Sequence, residues 1–367
     1  MDRVCFLKNL TAVSRGSASA DLVIKNSKIV DLFNGRIVKS DVAVYNDTIA
    51  GIGSYKGKKT IDAKGCYLLP GLIDGHIHLE STMLSPLEFT KLCLSNGTTA
   101  VVIDPHEIAN VAGIAGIKYI LNATENLPLD FYIMAPSCVP ASNLETYGHK
   151  ISGSDIRKLL KSNRVIGLAE VMDFPDVVNG KKAILKKIAA AEDRMIDGHA
   201  PLLSGKELSA YIAAGPSSDH EATNINEGKE KLSLGMQLMI REGSIAKDLK
   251  NLAMLVNKHS LSNISFVSDD LLPTELIRDG HVNRILRKAV SLGLDPIMAI
   301  RMATLNTARY FNLKRVGSVA PGYKADMVLV KDLKGFKIHT VIKDGKVVYE
   351  DGEYKINLNK KLSPPFN

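Results

Sequence analysis

The sequence predicts an α/β chain: a (β/α)8 TIM-type barrel with a small β-sandwich formed from both ends of the chain. Three observations predict it. Both ends share a texture of short β-branched runs broken by tight turns. The middle alternates apolar, strand-like runs with segments of helical apolar spacing. Each of about eight middle runs closes on polar residues, many of them His, Glu or Asp, at the barrel face where such folds carry chemistry.

The first end runs from about Asp21 to Asp62. Asp21-Leu-Val-Ile, Lys28-Ile-Val, Arg36-Ile-Val and Asp41-Val-Ala-Val-Tyr read as strands, with Asn-Gly, Asn-Asp and Gly-Lys punctuation between them. The same texture returns in Ala325-Asp-Met-Val-Leu-Val, Ile338-His-Thr-Val-Ile and Lys346-Val-Val-Tyr, with Asp344-Gly345 as a hairpin turn. Residues 1–66 and 314–367 are therefore assigned to the sandwich and 67–313 to the barrel. The eight barrel strands end at Gly75-His-Ile-His78, Asp104-Pro-His-Glu107, Ala135-Pro-Ser-Cys138, Leu168-Ala-Glu170, Asp197-Gly-His199, Ser218-Asp-His-Glu221, Ile240-Arg-Glu-Gly243 and Ser268-Asp-Asp270. Between them, Gly180 to Asp193 and Asp279 to Leu292 have helical spacing.

Composition bounds the partners. A chain of 367 residues suffices for one large domain and a smaller one. Trp is absent and aromatics make up 5%, so there is no stacking platform for nucleic acid. The net charge is +8, but Lys and Arg are scattered, and Lys181-Lys182 with Lys186-Lys187 read as a solvated helix face. The four cysteines are far apart and form no CxxC, against a disulfide framework or a Cys-ligated zinc. No stretch is long and apolar enough to span a bilayer, and the N-terminus lacks a signal-peptide pattern. The expectation is a soluble cytoplasmic protein with neither nucleic acid nor membrane as partner.

The chemistry starts at His76 and His78. Residues two apart in a strand point to one side, so His-x-His at a strand end aims two imidazoles at one point in the barrel mouth. Alone, the pair reads as readily as two ordinary strand histidines. Glu170 ends the apolar run Val165-Ile-Gly-Leu-Ala, where a carboxylate is costly unless paired or metal-bound; a rim salt bridge is the plainer alternative. His199 and His220 would each pass for rim histidines, but with the pair they make four His, all at predicted strand ends, out of nine in the chain. Asp269 ends the eighth strand and is preferred to Asp270, which faces the other way in a regular strand. Four His, one Glu and one Asp suffice for two carboxylate-bridged divalent metals, which lower the pKa of bound water. An Asp beside that water can take its proton and pass it to a leaving nitrogen.

Other positions stay open. His106 and Glu107 suit substrate contact, a further metal or orientation of the ligands. Glu80 and Glu221 suit substrate contact or support of the ligands, and Arg241, Glu242 and Ser244 suit the lining of a substrate pocket. Helix caps and rim salt bridges are the alternatives for each. There is no Walker loop, no Gly-x-Gly-x-x-Gly after a strand, no Gly-x-Ser-x-Gly elbow and no His-x-Glu with Pro-Cys-x-x-Cys, which argues against nucleotide-cofactor, serine-hydrolase and compact zinc-deaminase chemistry.

Pro70-Gly-Leu-Ile-Asp-Gly-His-Ile-His78 resembles the first-strand signature of the amidohydrolase superfamily. The closer resemblance is to its adenine deaminase family, through Leu79-Glu-Ser-Thr-Met-Leu84, Asp104-Pro-His-Glu-Ile-Ala-Asn110, Met134-Ala-Pro-Ser-Cys-Val-Pro140, Asp197-Gly-His-Ala-Pro201, Ser218-Asp-His-Glu221, Met239-Ile-Arg-Glu-Gly-Ser244, Arg301-Met-Ala-Thr-Leu-Asn306 and Gly317-Ser-Val-Ala-Pro-Gly-Tyr-Lys-Ala-Asp326. It runs from about Asp21 to Glu350 and is specific in combination. The resemblance implies hydrolysis of adenine to hypoxanthine and ammonia, as in purine salvage, on two divalent ions: manganese or iron first, zinc as the alternative. It implies His76, His78, Glu170, His199, His220 and Asp269 at the metals, Glu170 bridging, and Asp269, Glu170 and His220 as the catalytic set. The candidates on the substrate side are His106, Glu107, Glu221 and Ser244, and a homo-oligomer is the expected assembly. Branches that bridge their metals with a carboxylated Lys, the hydantoinases and dihydroorotases, fit less well, because Glu170 occupies that position. Family members usually continue into a further C-terminal domain, whereas this sequence stops at Ser363-Pro-Pro-Phe-Asn367; a fragment or a short member is expected. The rivals are hydrolysis of a cyclic amide or N-acyl substrate on the same metals, and a metal-binding fragment without catalysis.

Overall fold

The computed structural model describes residues 2–142 and 144–358. Its chain divides into two compact units. The first takes the residues up to Ile73, Cys93–Thr99 and Gly280–Leu358; the second takes Asp74–Leu92 and Ala100–Asp279.

The polar-ended runs of the middle form eight strands: β1 (Leu72–Ile77), β2 (Thr98–Ile103), β3 (Asp130–Ala135), β4 (Val165–Val171), β5 (Met195–Gly198), β6 (Ser218–Asp219), β7 (Gln237–Arg241) and β8 (Ile264–Val267). Every residue of β1, β2, β7 and β8 is buried. That two-sided burial is why these runs read as continuously apolar rather than alternating. They lie in two sheets, one ordered β5-β4-β3-β2-β1 and the other β6-β7-β8. The pairs β2–β3, β3–β4, β4–β5, β6–β7 and β7–β8 run parallel. Backbone hydrogen bonds link the sheets at both ends. Ser217 N donates to Ile196 O at 3.0 Å, and Asp269 N donates to His76 O at 2.9 Å. Buried Asp74 reinforces the second link by accepting from the Ser268 amide at 3.1 Å and the Ser268 hydroxyl at 2.5 Å.

Between strands the chain turns through short capped helices. Ser152 starts the helix Gly153–Leu159 with a capping box, and Asn224 caps Ile225–Ser233 by accepting from Glu227 N at 3.1 Å. The spacing expected from Gly180 to Asp193 and from Asp279 to Leu292 appears as the helices Lys182–Ala190 and Val282–Ser291. At Gly198 a Cβ would lie 2.2 Å from Ser218 O, so β5 and β6 approach only because that position has none.

The first unit is organised by one sheet of nine strands drawn from both ends of the chain. Its order is Glu353–Tyr354, Lys346–Glu350, Ile338–Lys343, Met327–Val330, Tyr67–Pro70, Ala20–Asp31, Arg36–Tyr45 and Thr48–Ile52, with Gly57–Asp62 also paired to Ala20–Asp31. The early and late halves meet where Leu68 opposes Leu329 in an antiparallel pair. Runs read as separate strands are continuous: Asp21-Leu-Val-Ile and Lys28-Ile-Val belong to one strand with an irregularity between Ile24 and Ser27. Alternation buries both faces. Leu22 and Ile24 join a core with Val44, Leu68, Met327 and Ile342. Val23 and Ala43 pack with Val13, which comes from the helix Arg3–Ser14. Asp344 and Gly345 turn the hairpin with φ of 51° and 75°, the positive pair a type I′ turn needs.

None of the four cysteines is in a disulfide. No described helix is long and apolar enough to cross a membrane. The sequence's final residues, 359–367, lie outside the described residues.

Candidate metal centre

Six side chains from five strand ends converge. His76 stands one residue before the end of β1 with its side chain 2% exposed, and His78 just after that end at 4%. Their rings stand nearly perpendicular with centroids 4.8 Å apart, and His76 stacks on His220 at 4.2 Å. Glu170, 3% exposed, sits among them with its two oxygens divided. Oε2 lies 2.6 Å from His199 Nδ1 and 3.1 Å from His220 Nε2. Oε1 lies 3.4 Å from His78 Nε2 and 4.0 Å from His76 Nε2. Asp269 closes the second group: its Oδ1 is 3.1 Å from His78 Nε2 and 3.7 Å from His76 Nε2. Donor atoms within 4.8 Å of one another form the sets His76–Glu170–His220 and His76–His78–Asp269, among others.

Local structure explains these aims. His78 Nδ1 lies 3.1 Å from the backbone oxygen of Asp104. An N–H donated there leaves the Nε2 lone pair free for a cation shared with Glu170 and Asp269. The hydroxyl of Tyr211, wholly buried, donates to Val171 O at 2.7 Å and accepts from His199 N at 2.9 Å, tying the end of β4 to the backbone of His199. Asp269 follows the last residues of β8 in a left-handed conformation, φ 57°. That residue breaks the regular alternation on which the preference for Asp269 over Asp270 rests. Asp270 does not face away: it accepts from the Ser81 hydroxyl and lies in one group with His78 and Glu107.

The electrostatics follow from putting carboxylates and imidazoles together out of water. Burial would raise the pKa of Glu170, but hydrogen bonds from His199 and His220 and the charge of His220 hold it well below the ordinary range. Burial likewise opposes ionisation of Asp269, and the His78 hydrogen bond with the charges of His220 and His76 outweighs it. Burial pushes His76 well below the usual imidazole value, helped by repulsion from His220. His220 goes the other way: against burial, the hydrogen bond and charge of Glu170 lift it to about 9. The carboxylates thus pull positive charge onto neighbouring rings, and a divalent cation satisfies the same demand by displacing those protons. His76 Nε2, buried and without a hydrogen-bond partner, is the atom such a cation would use. The donor set therefore fits divalent metal.

The open positions divide. His106 joins the cluster, its Nδ1 3.1 Å from Asp104 Oδ2 and 3.4 Å from Glu170 Oε1. Glu107 Oε2 lies 3.6 Å from His78 Nδ1, and Glu221 Oε1 lies 3.5 Å from His220 Nε2. Glu80 accepts from Ile108 N at 3.1 Å, at the start of the helix bearing His106 and Glu107. Ser244 is not brought in: its hydroxyl donates to Glu275 at 2.8 Å and accepts from Leu272 N at 2.9 Å. Two residues carry more than the sequence suggested. Asp104 anchors both His78 and His106. Arg241 Nη1 donates to Asp269 Oδ2 at 3.0 Å and to Glu221, while Nε reaches Asp248 at 3.2 Å. An arginine ending an apolar strand was the available signal, because such a charge must find carboxylates.

Comparison with known proteins adds to this geometry. The model of the amidohydrolase family matches residues 67–348. An adenine deaminase of Kosmotoga olearia is 48% identical over 360 residues, covering 97% of this chain and 62% of its own length. An adenine deaminase 2 of Carboxydothermus hydrogenoformans is 48% identical over 347 residues, covering 95% of this chain and 61% of its own. The chain thus spans about three fifths of the length of these curated relatives. Among solved structures, a β-aspartyl dipeptidase of Fervidobacterium islandicum superposes with a TM-score of 0.66 at 20% identity, over 94% of this chain and 100% of that one.

Proposed function

This chain belongs to the amidohydrolase family, and from that premise we propose that it hydrolyses adenine to hypoxanthine and ammonia on two divalent ions. The observation that carries the reading is the division of Glu170, one oxygen toward His199 and His220 and the other toward His76 and His78. The relatives that bear the name adenine deaminase support the substrate.

His76, His78 and Asp269 would hold one ion, His199 and His220 the other, and Glu170 both, with manganese or iron ahead of zinc. Bound there, the ions supply Lewis acidity and lower the pKa of water. The chain's own part is proton handling. The attacking water loses a proton as its oxygen joins C6 of the purine, and Asp269 accepts that proton. Asp269 then delivers it to the exocyclic nitrogen, so that the C6–N bond breaks and ammonia leaves. Arg241 holds Asp269 by its outer oxygen and keeps the other aimed at the cluster. His220 would act through the ion it holds beside Glu170, the charge of that ion stabilising negative charge that builds on the ring. His106, Glu107 and Glu221 border the cluster and serve the substrate side; Ser244, bonded to Glu275, is left out of this reading.

The finer architecture we propose is a closed (β/α)8 barrel over 67–313, with a β-sandwich from 1–66 and the residues from 314 onward. The backbone bonds from Ser217 to Ile196 and from Asp269 to His76 support closure.

The test is direct. Metal-replete protein should release ammonia from adenine with hypoxanthine appearing in equal amount. Asp269→Asn should lower kcat by about 10²- to 10⁴-fold with purine binding retained. Hydrolysis of cyclic imides or N-acyl compounds without adenine turnover refutes the substrate, and near-wild-type turnover by Asp269→Asn refutes the proton role.

A further inference from the structure

We propose that Lys231, which touches no ligand atom of the centre, is a positioning residue for the half built on His199 and His220. The inference rests on the metal reading above.

Lys231 lies on the helix Ile225–Ser233, and its side chain is 0% exposed. A fully desolvated ammonium persists only where its charge and its three N–H donors are all answered. Here they are. Nζ donates to Ala200 O at 2.7 Å, to Asp219 Oδ2 at 2.8 Å and to Glu227 Oε1 at 2.8 Å. The choice of partners gives the residue its role. Ala200 directly follows His199, and Asp219 directly precedes His220.

Asp219 multiplies the connection. Its Oδ1 accepts from Ala200 N at 2.9 Å, and its Oδ2 accepts from Glu221 N at 3.0 Å and Ala222 N at 2.9 Å. The backbone beside each imidazole is thus fastened to one ammonium–carboxylate pair. Glu227 extends the hold along the first loop by accepting from Leu202 N at 2.8 Å. The spacing that results is tight: His199 Nδ1 is 3.3 Å from His220 Nε2, and both face the same oxygen of Glu170. An apolar residue of similar length would fill the same volume and could match the fold's stability. It could not hold Ala200 O and Asp219 at once. What Lys231 supplies is the separation between two adjoining loops, and therefore between two ligands.

The experiment is manganese titration of the full chain, free of other metal, read as ions bound per chain and their dissociation constants. Wild type should bind two ions. Lys231→Met should leave one ion at its wild-type affinity and weaken the other by about 10- to 100-fold, the usual effect of removing a residue that orients ligands. Asp219→Asn, which keeps the volume of the side chain, should do the same and carries the test should Lys231→Met not fold. Lys343→Met is the control. Lys343 is another buried lysine, bonded to Asp326 at 3.1 Å in the nine-stranded sheet, and its loss should lower stability while both ions bind as in wild type. A folded Lys231→Met or Asp219→Asn with wild-type affinity for both ions overturns the inference, as does equal weakening by Lys343→Met. Fewer than two ions in the wild type overturns the metal reading instead.

Discussion

Arg241 and Asp269 should act on catalysis as one unit. The perturbation is Arg241→Gln, made alone and in the Asp269→Asn background. Arg241 Nη1 meets Asp269 Oδ2 at 3.0 Å. A hydrogen bond to a charged group contributes about 1.5–3 kcal/mol. Were all of that spent on holding Asp269 in its reactive orientation, the single variant would lose roughly 10- to 150-fold in kcat. The same substitution has a cost in stability. Asp269, Glu221 and Asp248 have side chains only 10%, 15% and 9% exposed, and all three pair with Arg241. Breaking such a buried pair costs about 3–5 kcal/mol, so the assay belongs well below the variant's melting temperature. The assay is steady-state ammonia release at saturating adenine and manganese, with the folded fraction measured in parallel. Asp269→Asn alone should lose about 10²- to 10⁴-fold. Adding Arg241→Gln to it should lose less than about threefold more, because the group that Arg241 orients has already gone. A double variant that loses the product of the two single effects refutes the reasoning, as does a folded Arg241→Gln with wild-type kcat.

Three further outcomes follow from the same geometry. Glu170→Gln, which leaves an amide where both ligand pairs meet a carboxylate, should bind fewer than two manganese ions per chain by elemental analysis; two retained ions would refute the bridging role. Chelation should lower the melting temperature and excess manganese restore it. The stabilisation is about 2.7 kcal/mol when free metal is a hundredfold above its dissociation constant, and an unmoved transition would count against metal at this site. Tyr211→Phe removes a hydroxyl that joins His199 N to Val171 O, and should cost about 1–3 kcal/mol by chemical denaturation while lowering kcat; unchanged stability would show that the bridge contributes nothing.

The strand ends were legible because their signal is local. His-x-His has the period of a strand, and a carboxylate closing an apolar run stands out against its neighbours. All eight predicted ends coincide with the ends of β1 to β8. What the sequence hid depends on partners far away along the chain. Lys231 sits in the pattern Lys-Glu-Lys on a polar-looking helix, and nothing local says that its ammonium is buried against Ala200 and Asp219. Asp104 stands before a proline and looks like a turn residue until His78 and His106 fold against it. Asp269 lies beside His76 and His78, but the preference for it rests on strand alternation, while the chain there takes a left-handed turn that alternation cannot foresee. The partner of Ser244 is hidden for the same reason, since Glu275, which takes its hydroxyl, stands thirty-one positions on.

The nine-stranded sheet has a consequence for the order of events at the ribosome. Tyr67–Pro70 pairs on one side with Ala20–Asp31 and on the other with Met327–Val330. When residue 70 has been made, its partner near residue 327 is still to be synthesised, and the gap at ~5–20 residues per second lasts roughly 13–50 s. Throughout that interval the nascent edge of Tyr67–Pro70 offers unpaired backbone groups to any strand that arrives first. Leu72, two residues beyond Pro70, begins the strand that carries His76. Chaperone contacts that cover this edge, or faster synthesis that shortens the interval, should therefore raise the yield of assembled protein before any metal arrives.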